Sequence, residues 1–120
     1  GEGQIAGEIR YFKKLYGNPT PKFLIIYDRL AFWGENDLRV TFDTNIRYRT
    51  SRLGLNSGLD GSPIISENQV LMEIKTGTAI PLWLTKILSE LKIYKTSFSK
   101  CGEAYKAELT KNKTEVKKVG

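Results

Sequence analysis

The sequence predicts an α+β fold. The prediction rests on two patterns, apolar residues at helical spacing and segments rich in strand-forming residues, and on their order along the chain. Apolar residues recur at helical spacing near the start of the chain and again in its last third. Between them, residues 23–48 and 70–75 are rich in β-branched and aromatic side chains, which are typical of strands. At 120 residues the chain has room for one hydrophobic core. The predicted order is helix, β-hairpin, long loop, strand, helix and helix.

The first predicted element is a helix over residues 4–16. Its apolar positions lie on one side of a helical wheel: Ile5, Ile9, Phe12 and Tyr16. The segment Gly17-Asn18-Pro19 follows, and glycine and proline are typical of the end of a helix. The pattern therefore predicts a helix that packs its apolar side on the rest of the domain.

A β-hairpin is predicted next, with strands at 23–33 and 38–48 around the turn residues 34–37. A connection of four residues would place Arg29 opposite Phe42, whereas three or five residues would place it opposite Asp43. We expect the second register, since it groups the charges on one face and leaves an apolar layer on the other. That layer contains Leu30, Phe32, Leu38, Val40 and Phe42, and we expect it to accept the apolar stripes of the helices.

The second half of the chain contains an irregular segment, a short strand and two helices. Residues 50–68 have no clean period, and a strand is expected at 70–75. Pro81 suits the first position of a helix, and a last helix is expected to begin near Thr96 or Ser97. The expected apolar faces are Leu84, Ile87, Leu88 and Leu91 on the first helix and Phe98, Cys101, Tyr105 and Leu109 on the second.

Composition excludes several classes of protein. The chain has no histidine and a single cysteine, so it cannot form an internal disulfide, a cysteine-rich zinc site or a histidine-based catalytic triad. Any chemistry must use carboxylates, cations and a hard metal ion. No apolar run reaches the roughly 20 residues of a membrane span. We expect a cytoplasmic, reducing location.

The net charge of +6 is unevenly distributed. Residues 111–120 contain four lysines and one glutamate, so half of the excess lies in a segment that we expect to be a basic flexible tail. The remaining residues carry only a mild positive charge. The position of those cations therefore matters more than their number.

Charged residues interrupt the predicted strands on one face. In the expected register this face carries Tyr27, Arg29, Arg39, Glu73 and Lys75. Each strand alone has the alternation typical of an antiparallel sheet with one wet face. Together, however, guanidinium forks suit phosphate oxygens, and one carboxylate among cations suits a divalent metal that bridges a polyphosphate. The combination indicates a phosphate site.

Four stretches in this order resemble a known family. They are YDRLAFWG, LRVTFDTNIRYR, VLMEIK and IPLWLTKILSELKIYKTSFSKCGEAY. They resemble the vacuolar transporter chaperone domain in its bacterial form, which belongs to the triphosphate tunnel metalloenzyme superfamily. The resemblance covers most of residues 5–108.

The resemblance implies a tunnel of antiparallel strands lined by basic residues and flanked by helices, here in incomplete form. Eukaryotic members transfer the terminal phosphoryl group of ATP to a growing polyphosphate chain with a divalent metal, Mn²⁺ or Mg²⁺. The residues that this implies as phosphate ligands are Tyr27, Arg29, Arg39, Lys75 and Lys100, with Arg29, Arg39 and Lys75 also catalytic. Glu73 matches the metal ligand, Asp43 a supporting position, and Arg49 is a weaker candidate.

Members of that family are longer, and their additional tunnel strands precede the part matched here. The resemblance therefore implies that residues 1–110 are the C-terminal part of such a domain, followed by the tail at 111–120. Because a few strands cannot close a barrel, we expect this chain alone to be inactive. We expect it to form a homo-oligomer or to pair with the missing N-terminal half.

Two other functions stay open besides polymerisation with ATP and inorganic polyphosphate. The first is a non-catalytic polyphosphate- or triphosphate-binding module, or a tunnel-type triphosphatase. The second is nucleic-acid binding, with Tyr11, Tyr16, Trp33 and Tyr48 as stacking surfaces. Aromatic residues at these spacings are more typical of packing, so nucleic acid is the less favoured partner.

Overall fold

The computed structural model describes residues 6–16, 22–54 and 56–119. Within them it contains a five-stranded antiparallel sheet and two helices, which confirms the predicted α+β class. The strands are β1 (Ala6–Tyr16), β2 (Phe23–Trp33), β3 (Arg39–Arg49), β4 (Ser62–Pro63) and β5 (Leu71–Lys75), and the helices are α1 (Leu82–Glu90) and α2 (Lys100–Val119). Their order in the sheet is β1-β2-β3, with β4 and β5 both pairing with β3, and over the described residues the sheet does not close on itself.

The prediction of a helix over residues 4–16 is wrong, because β1 occupies this segment. β1 pairs with β2 over all eleven of its residues, from Ala6 opposite Trp33 to Tyr16 opposite Phe23. A ladder of this length gives a partner on β2 to the backbone polar groups of β1 that face it, and that gain outweighs the local helical spacing. Ile5, the first residue of the predicted apolar side, lies outside the described residues.

The predicted hairpin and its register are confirmed. Five residues, 34–38, connect β2 to β3, and Arg29 lies opposite Asp43. The connection is closed by the Gly34 N–H, which donates to the Leu38 carbonyl at 2.9 Å. Asn36 and Asp37 have φ angles of 58° and 59°, a left-handed conformation that these two residue types tolerate better than most.

A β-bulge in β3 changes which residues share a face. The register shifts between Ile26 and Asp28, so Asn45 and Ile46 together oppose the single residue Tyr27. Asn45 has a φ of 51°, as the extra residue of such a bulge often does. Because one residue is added, Ile46 lies on the same face as Asp43, and Arg47 turns to the other face.

The two helices pack on opposite faces of the sheet. α1 covers the predicted apolar layer, where Leu84 contacts the cluster of Leu38 and Val40. α2 lies on the charged face and packs Ala104 on a second cluster, formed by Phe23, Ile25, Tyr27, Ile46 and Tyr48. The expectation that one layer accepts both helices is therefore wrong. The bulge explains the second cluster, since it brings Ile46 and Tyr48 onto the charged face.

α1 agrees in part with its predicted apolar stripe. Leu84 is buried and Leu88 packs on the core, but Ile87 and Leu91 are exposed. Pro81 immediately precedes the helix and is not its first helical residue. The helix therefore contacts the sheet through a narrower face than the sequence indicates.

α2 begins at Lys100, later than predicted. The Oγ atom of Ser99, and not a group of Thr96 or Ser97, accepts a hydrogen bond from the Gly102 N–H at 3.1 Å. A hydroxyl in this position satisfies one of the free N–H groups of the first turn.

The face by which α2 packs on the sheet centres on Ala104, whose small side chain is fully buried. Phe98 and Cys101 pack there as predicted, whereas Tyr105 and Leu109 are 46% and 43% exposed. Tyr105 reaches the core only at its edge, with its ring centroid 6.2 Å from that of Phe23. The backbone of residues 111–119 continues α2, and the division of the chain at residue 110 stays a prediction.

The irregular segment 50–68 contains β4 and is held against the sheet by two buried arginines. The Arg47 Nε atom donates to the Leu59 carbonyl at 2.7 Å. Arg49 donates from Nε to the Arg52 carbonyl and from Nη1 to the Asp60 carbonyl, both at 2.9 Å. These bonds to backbone carbonyls fix a loop that has little regular structure of its own.

Candidate functional site

The strands β1, β2, β3 and β5 and the first turn of α2 surround a hollow of about 290 Å³ on the charged face. Its wall includes five of the six residues predicted for phosphate or metal binding: Arg29, Arg39, Glu73, Lys75 and Lys100. The sheet register explains this arrangement. Arg39 lies opposite both Trp33 and Lys75, and Thr41 lies opposite Glu73, so side chains from neighbouring strands point into one space.

Arg29 and Asp43 form a bidentate ion pair on the floor of the hollow. The Nε and Nη2 atoms of Arg29 each donate to one carboxylate oxygen of Asp43, both at 2.7 Å. Burial alone would raise the pKa of Asp43, but hydrogen bonds from Arg29 and Lys100 and their positive charges hold it below its ordinary value. Asp43 is thus a carboxylate that fixes the guanidinium plane of Arg29.

Lys100 enters the same cluster from the start of α2. Its Nζ atom lies 2.9 Å from Asp43 Oδ2 and 3.3 Å from Glu73 Oε1. Burial would lower the pKa of Lys100, but the hydrogen bond to Asp43 and the charges of Asp43 and Glu73 raise it above the ordinary value. The helix therefore delivers a charged ammonium group to a site built mainly by strands.

Tyr27 lies beneath these cations and does not line the hollow. It is fully buried, with Lys100 Nζ at 4.4 Å and the Arg29 guanidinium carbon at 5.0 Å from its ring centroid. An aromatic face attracts cations at these distances. Tyr27 therefore supports the cations Arg29 and Lys100 from below and does not face a ligand in the hollow.

Arg39 and Lys75 form the outer side of the hollow. Lys75 is exposed and Arg39 is half-buried, with its guanidinium carbon 5.9 Å from the Trp33 ring centroid. Within the described part of the chain neither residue has an ion-pair partner, and the buried Nε atom of Arg39 has no hydrogen-bond acceptor. Among the described residues, these two cations and the exposed Lys14 of β1 are the ones available to an incoming anion.

With this geometry established, comparison with known proteins identifies the family. A family model described as the VTC domain matches residues 2–109. The chain belongs to the VTC domain family. This family is related to polyphosphate polymerases. Comparisons with curated proteins and with solved structures gave no match. Neither helix of the described residues is long and apolar enough to cross a membrane.

Arg49, the weaker candidate of the sequence analysis, does not belong to the site of this VTC domain. It lies opposite Leu24, past the bulge, and its guanidinium is used by the loop at residues 52–60. Simple alternation from Arg39 would have placed Arg49 on the charged face. The bulge at Asn45 reverses that alternation, and the sequence contains no clear signal that predicts the bulge.

Two wall residues of the VTC domain were missed as candidates. Thr41 is 4% exposed and lines the hollow between Arg39 and Asp43, and its alternation with these two residues was the signal. Lys14 also lines the hollow, from β1. It was missed because residues 4–16 were assigned to a helix.

The stacking surfaces considered for nucleic acid are not formed as a set. Tyr48 is buried, and its hydroxyl donates to Glu108 Oε2 at 2.9 Å. Trp33 is half-buried beside Arg39, and the side chains of Tyr11 and Tyr16 lie outside the described residues. A stacking platform would need several exposed rings on one face.

The side chains around the hollow determine whether it could hold the divalent metal expected from the sequence. The described residues contain no group of three or more acidic, cysteine or histidine side chains able to enclose a metal ion. Of the carboxylates that the structure describes, Glu73 is the one that lines the hollow, with its side chain 38% exposed. Mg²⁺ and similar ions often bind through one or two carboxylates and complete their coordination with substrate phosphate oxygens and water. The residues therefore fit a metal that arrives with a polyphosphate.

Proposed function

We propose that this VTC domain binds the phosphate groups of ATP and inorganic polyphosphate in the hollow and takes part in transferring the terminal phosphoryl group of ATP to a polyphosphate chain. The observation that supports the proposal most strongly is the meeting of cations from β1, β2, β3, β5 and α2 around one space. Such an arrangement is costly for a fold unless an anion uses it.

The charges around the hollow favour a multiply charged anion. Among the residues whose side chains the structure describes, five cations lie there, namely Lys14, Arg29, Arg39, Lys75 and Lys100, against the two carboxylates Asp43 and Glu73, which leaves a net charge of +3 for this set. The planar forks of Arg29 and Arg39 match pairs of phosphate oxygens, and the lysines supply point charges. A chain of phosphates presents such oxygens in series.

The same residues suit phosphoryl transfer. Its transition state is loose and spreads negative charge over the transferred oxygens, so catalysis depends on positioning and on fixed positive charge. Asp43 holds the Arg29 guanidinium in a single orientation, and Arg39 and Lys75 can bind the phosphate oxygens next to the reacting group. A divalent metal held by Glu73, when bound, supplies further charge stabilisation as the bond to the leaving oxygen breaks.

A second function, a non-catalytic polyphosphate-binding module or a triphosphatase, is favoured by one observation. Among the described residues the sheet is open, so the hollow is not enclosed as a tunnel would be. An open hollow can bind a phosphate chain along its length, but it excludes less water, and water competes with a phosphate acceptor. Polymer synthesis is therefore the more demanding of these proposals.

One assay separates these functions. The full-length protein is incubated with ATP and Mn²⁺, and the products are analysed for polyphosphate and for free phosphate. Polymer indicates a polymerase, free phosphate a triphosphatase, and neither product, with tripolyphosphate binding retained, a binding module. Preferential binding of RNA over tripolyphosphate at moderate salt would contradict all three.

Arg39→Ala tests the outer side of the hollow by calorimetric titration with tripolyphosphate. We expect the affinity to fall about tenfold or more, since a charge-assisted contact contributes roughly 1.5–3 kcal/mol. Lys106→Ala is the matched control, because Lys106 is a 79% exposed cation on α2, away from the hollow. Equal affinities of the two variants would show that Arg39 does not bind phosphate.

A further inference from the structure

The charges of the hollow divide into two groups of different character. The inner cluster consists of Arg29, Lys100, Asp43 and Glu73, which are linked by ion pairs and have a net charge of zero. The outer pair consists of Arg39 and Lys75, which have a net charge of +2 and no ion-pair partner among the described residues. Lys14, from β1, adds a further exposed cation outside the inner cluster. Among the described residues, an anion that enters the hollow therefore meets uncompensated charge only on the outer pair and on Lys14.

Lys100 is the residue that neutralises the inner cluster. Its ammonium group has three N–H donors, and it contacts Asp43 and Glu73 with Tyr27 below it. The two carboxylates differ, since Asp43 is fully buried whereas the Glu73 side chain is 38% exposed and borders the hollow. The contact with Glu73 is also the longer, at 3.3 Å against 2.9 Å.

These differences make the Glu73 contact the one that can open. Asp43 is fully buried, with Arg29 on both of its oxygens and Lys100 on Oδ2. Glu73 is accessible from the hollow, so another cation can approach it without disturbing the floor. If another cation binds the Glu73 carboxylate, the Lys100 ammonium group can keep its contact with Asp43. The N–H donor that it used for Glu73 is then free to bind a ligand in the hollow.

We propose that Lys100 acts as a latch on Glu73: without ligand its ammonium group holds the carboxylate, and it turns to phosphate oxygens once Glu73 is taken by a divalent cation. This inference rests on the proposed function and adds an order of events to it. The outer pair captures the phosphate chain first. The inner cations join only when a metal accompanies that chain, so that a phosphate chain without metal stays on the outer side.

A double-mutant cycle with tripolyphosphate in metal-free buffer tests the latch. Glu73→Ala removes the partner of the latch, and we expect it to bind tripolyphosphate about tenfold more tightly than the unmodified chain. In the Lys100→Met background the same substitution should tighten binding less than about threefold, because only the general loss of negative charge remains. Glu103→Ala, which removes a carboxylate from the first turn of α2 outside the hollow, should change the affinity less than twofold.

A titration with Mn²⁺ alone provides the second test. We expect Lys100→Met to bind Mn²⁺ at least about threefold more tightly than Lys75→Met, which removes the same charge two residues from Glu73 without breaking a contact. Equal measurable Mn²⁺ affinities of these two variants would overturn the latch. If no variant binds Mn²⁺ in the absence of phosphate, the double-mutant cycle decides.

The remaining outcomes are also decisive. Equal gains from Glu73→Ala in both backgrounds would overturn the latch, and the phosphate site would survive. If no variant binds tripolyphosphate, the proposed function fails together with the latch. Thermal unfolding of each variant shows whether it folds. If Lys100→Met does not fold, the tripolyphosphate affinities of Glu73→Ala and Glu103→Ala are compared instead. Equal affinities of those two variants would overturn the inference.

Discussion

At the scale of single residues, the site depends on Asp43. This carboxylate is fully buried and accepts hydrogen bonds from Arg29 and Lys100, which come from a strand and a helix. Because it lies below the hollow, it orients both cations without contacting a ligand. The sequence indicated this role through the register, which placed Asp43 opposite Arg29. It could not indicate the contact with Lys100, which depends on how α2 packs.

Asp43→Asn should therefore destabilise the fold. Removing one partner of a buried ion pair leaves the other charges uncompensated, and we expect a loss of about 3–5 kcal/mol in the free energy of unfolding. Urea denaturation at pH 7 measures it, with Glu90→Gln as an exposed control of the same charge change. A loss no larger than that of the control would show that the pair does not stabilise the fold.

The pH dependence of stability follows from the direction of the pKa shift. The pKa of Asp43 is lower in the folded chain than its ordinary value of 3.8, so its contribution is complete above that value and is lost as the pH falls through the folded pKa. The unmodified chain should thus lose stability in acid more steeply than Asp43→Asn. Parallel acid profiles of the two proteins would contradict this explanation.

At the scale of elements, β3 determines which side chains reach the hollow. Its first half follows simple alternation, so the faces of Arg39, Thr41 and Asp43 were predictable once the hairpin register was known. Its second half was not, because the bulge at Asn45 adds one residue and sends Arg49 to the opposite face. A one-residue irregularity has no reliable sequence signal, yet it decides the composition of the site.

β1 shows the other limit of prediction at this scale. Its apolar residues fit helical spacing, and a short amphipathic segment carries too little information to exclude a strand. Residues 6–16 form a strand because they can pair with the edge of β2, where eleven residues act as backbone partners. By contrast, β2, β3 and β5 were predictable, because their β-branched and aromatic residues favour strands and the sheet provides each of them with a neighbouring strand.

The docking of α2 on the sheet should be sensitive to alkali. The Tyr48 hydroxyl donates to Glu108, and burial first, then this bond and the charge of Glu108, raise the pKa of Tyr48 to about 12. A raised pKa means that the stabilisation is complete below the ordinary value of 10.0 and is lost as the pH rises through the folded value.

Tyr48→Phe tests this contact. At pH 7 it should lower the free energy of unfolding by about 1 kcal/mol, the net contribution of one hydrogen bond. Between pH 10 and about 12 it should lose less stability than the unmodified chain, since it has no hydroxyl to ionise. Circular dichroism during urea denaturation at several pH values measures both effects. Identical alkaline profiles would show that the pKa of Tyr48 is the same in the folded and the unfolded chain.

At the scale of the whole molecule, the chain is extended for its length. Its radius of gyration is 17.3 Å, whereas a compact domain of this size has about 14 Å. In the described part of the chain β1 and β5 each pair on one side only, so both edges of the sheet are open. These features agree with the expectation of a homo-oligomer or of pairing with further strands, which stays a prediction.

The hollow itself is a property of the whole molecule, because four strands and the first turn of α2 contribute to it. The most direct measurement of the central claim is therefore a crystal structure of the chain grown with tripolyphosphate. We predict phosphate oxygens within hydrogen-bonding distance of Arg39 and Lys75, on the face that carries Arg29. Tripolyphosphate bound elsewhere, for example on the exposed Arg52 beside the loop, with the hollow left to water, would contradict the account.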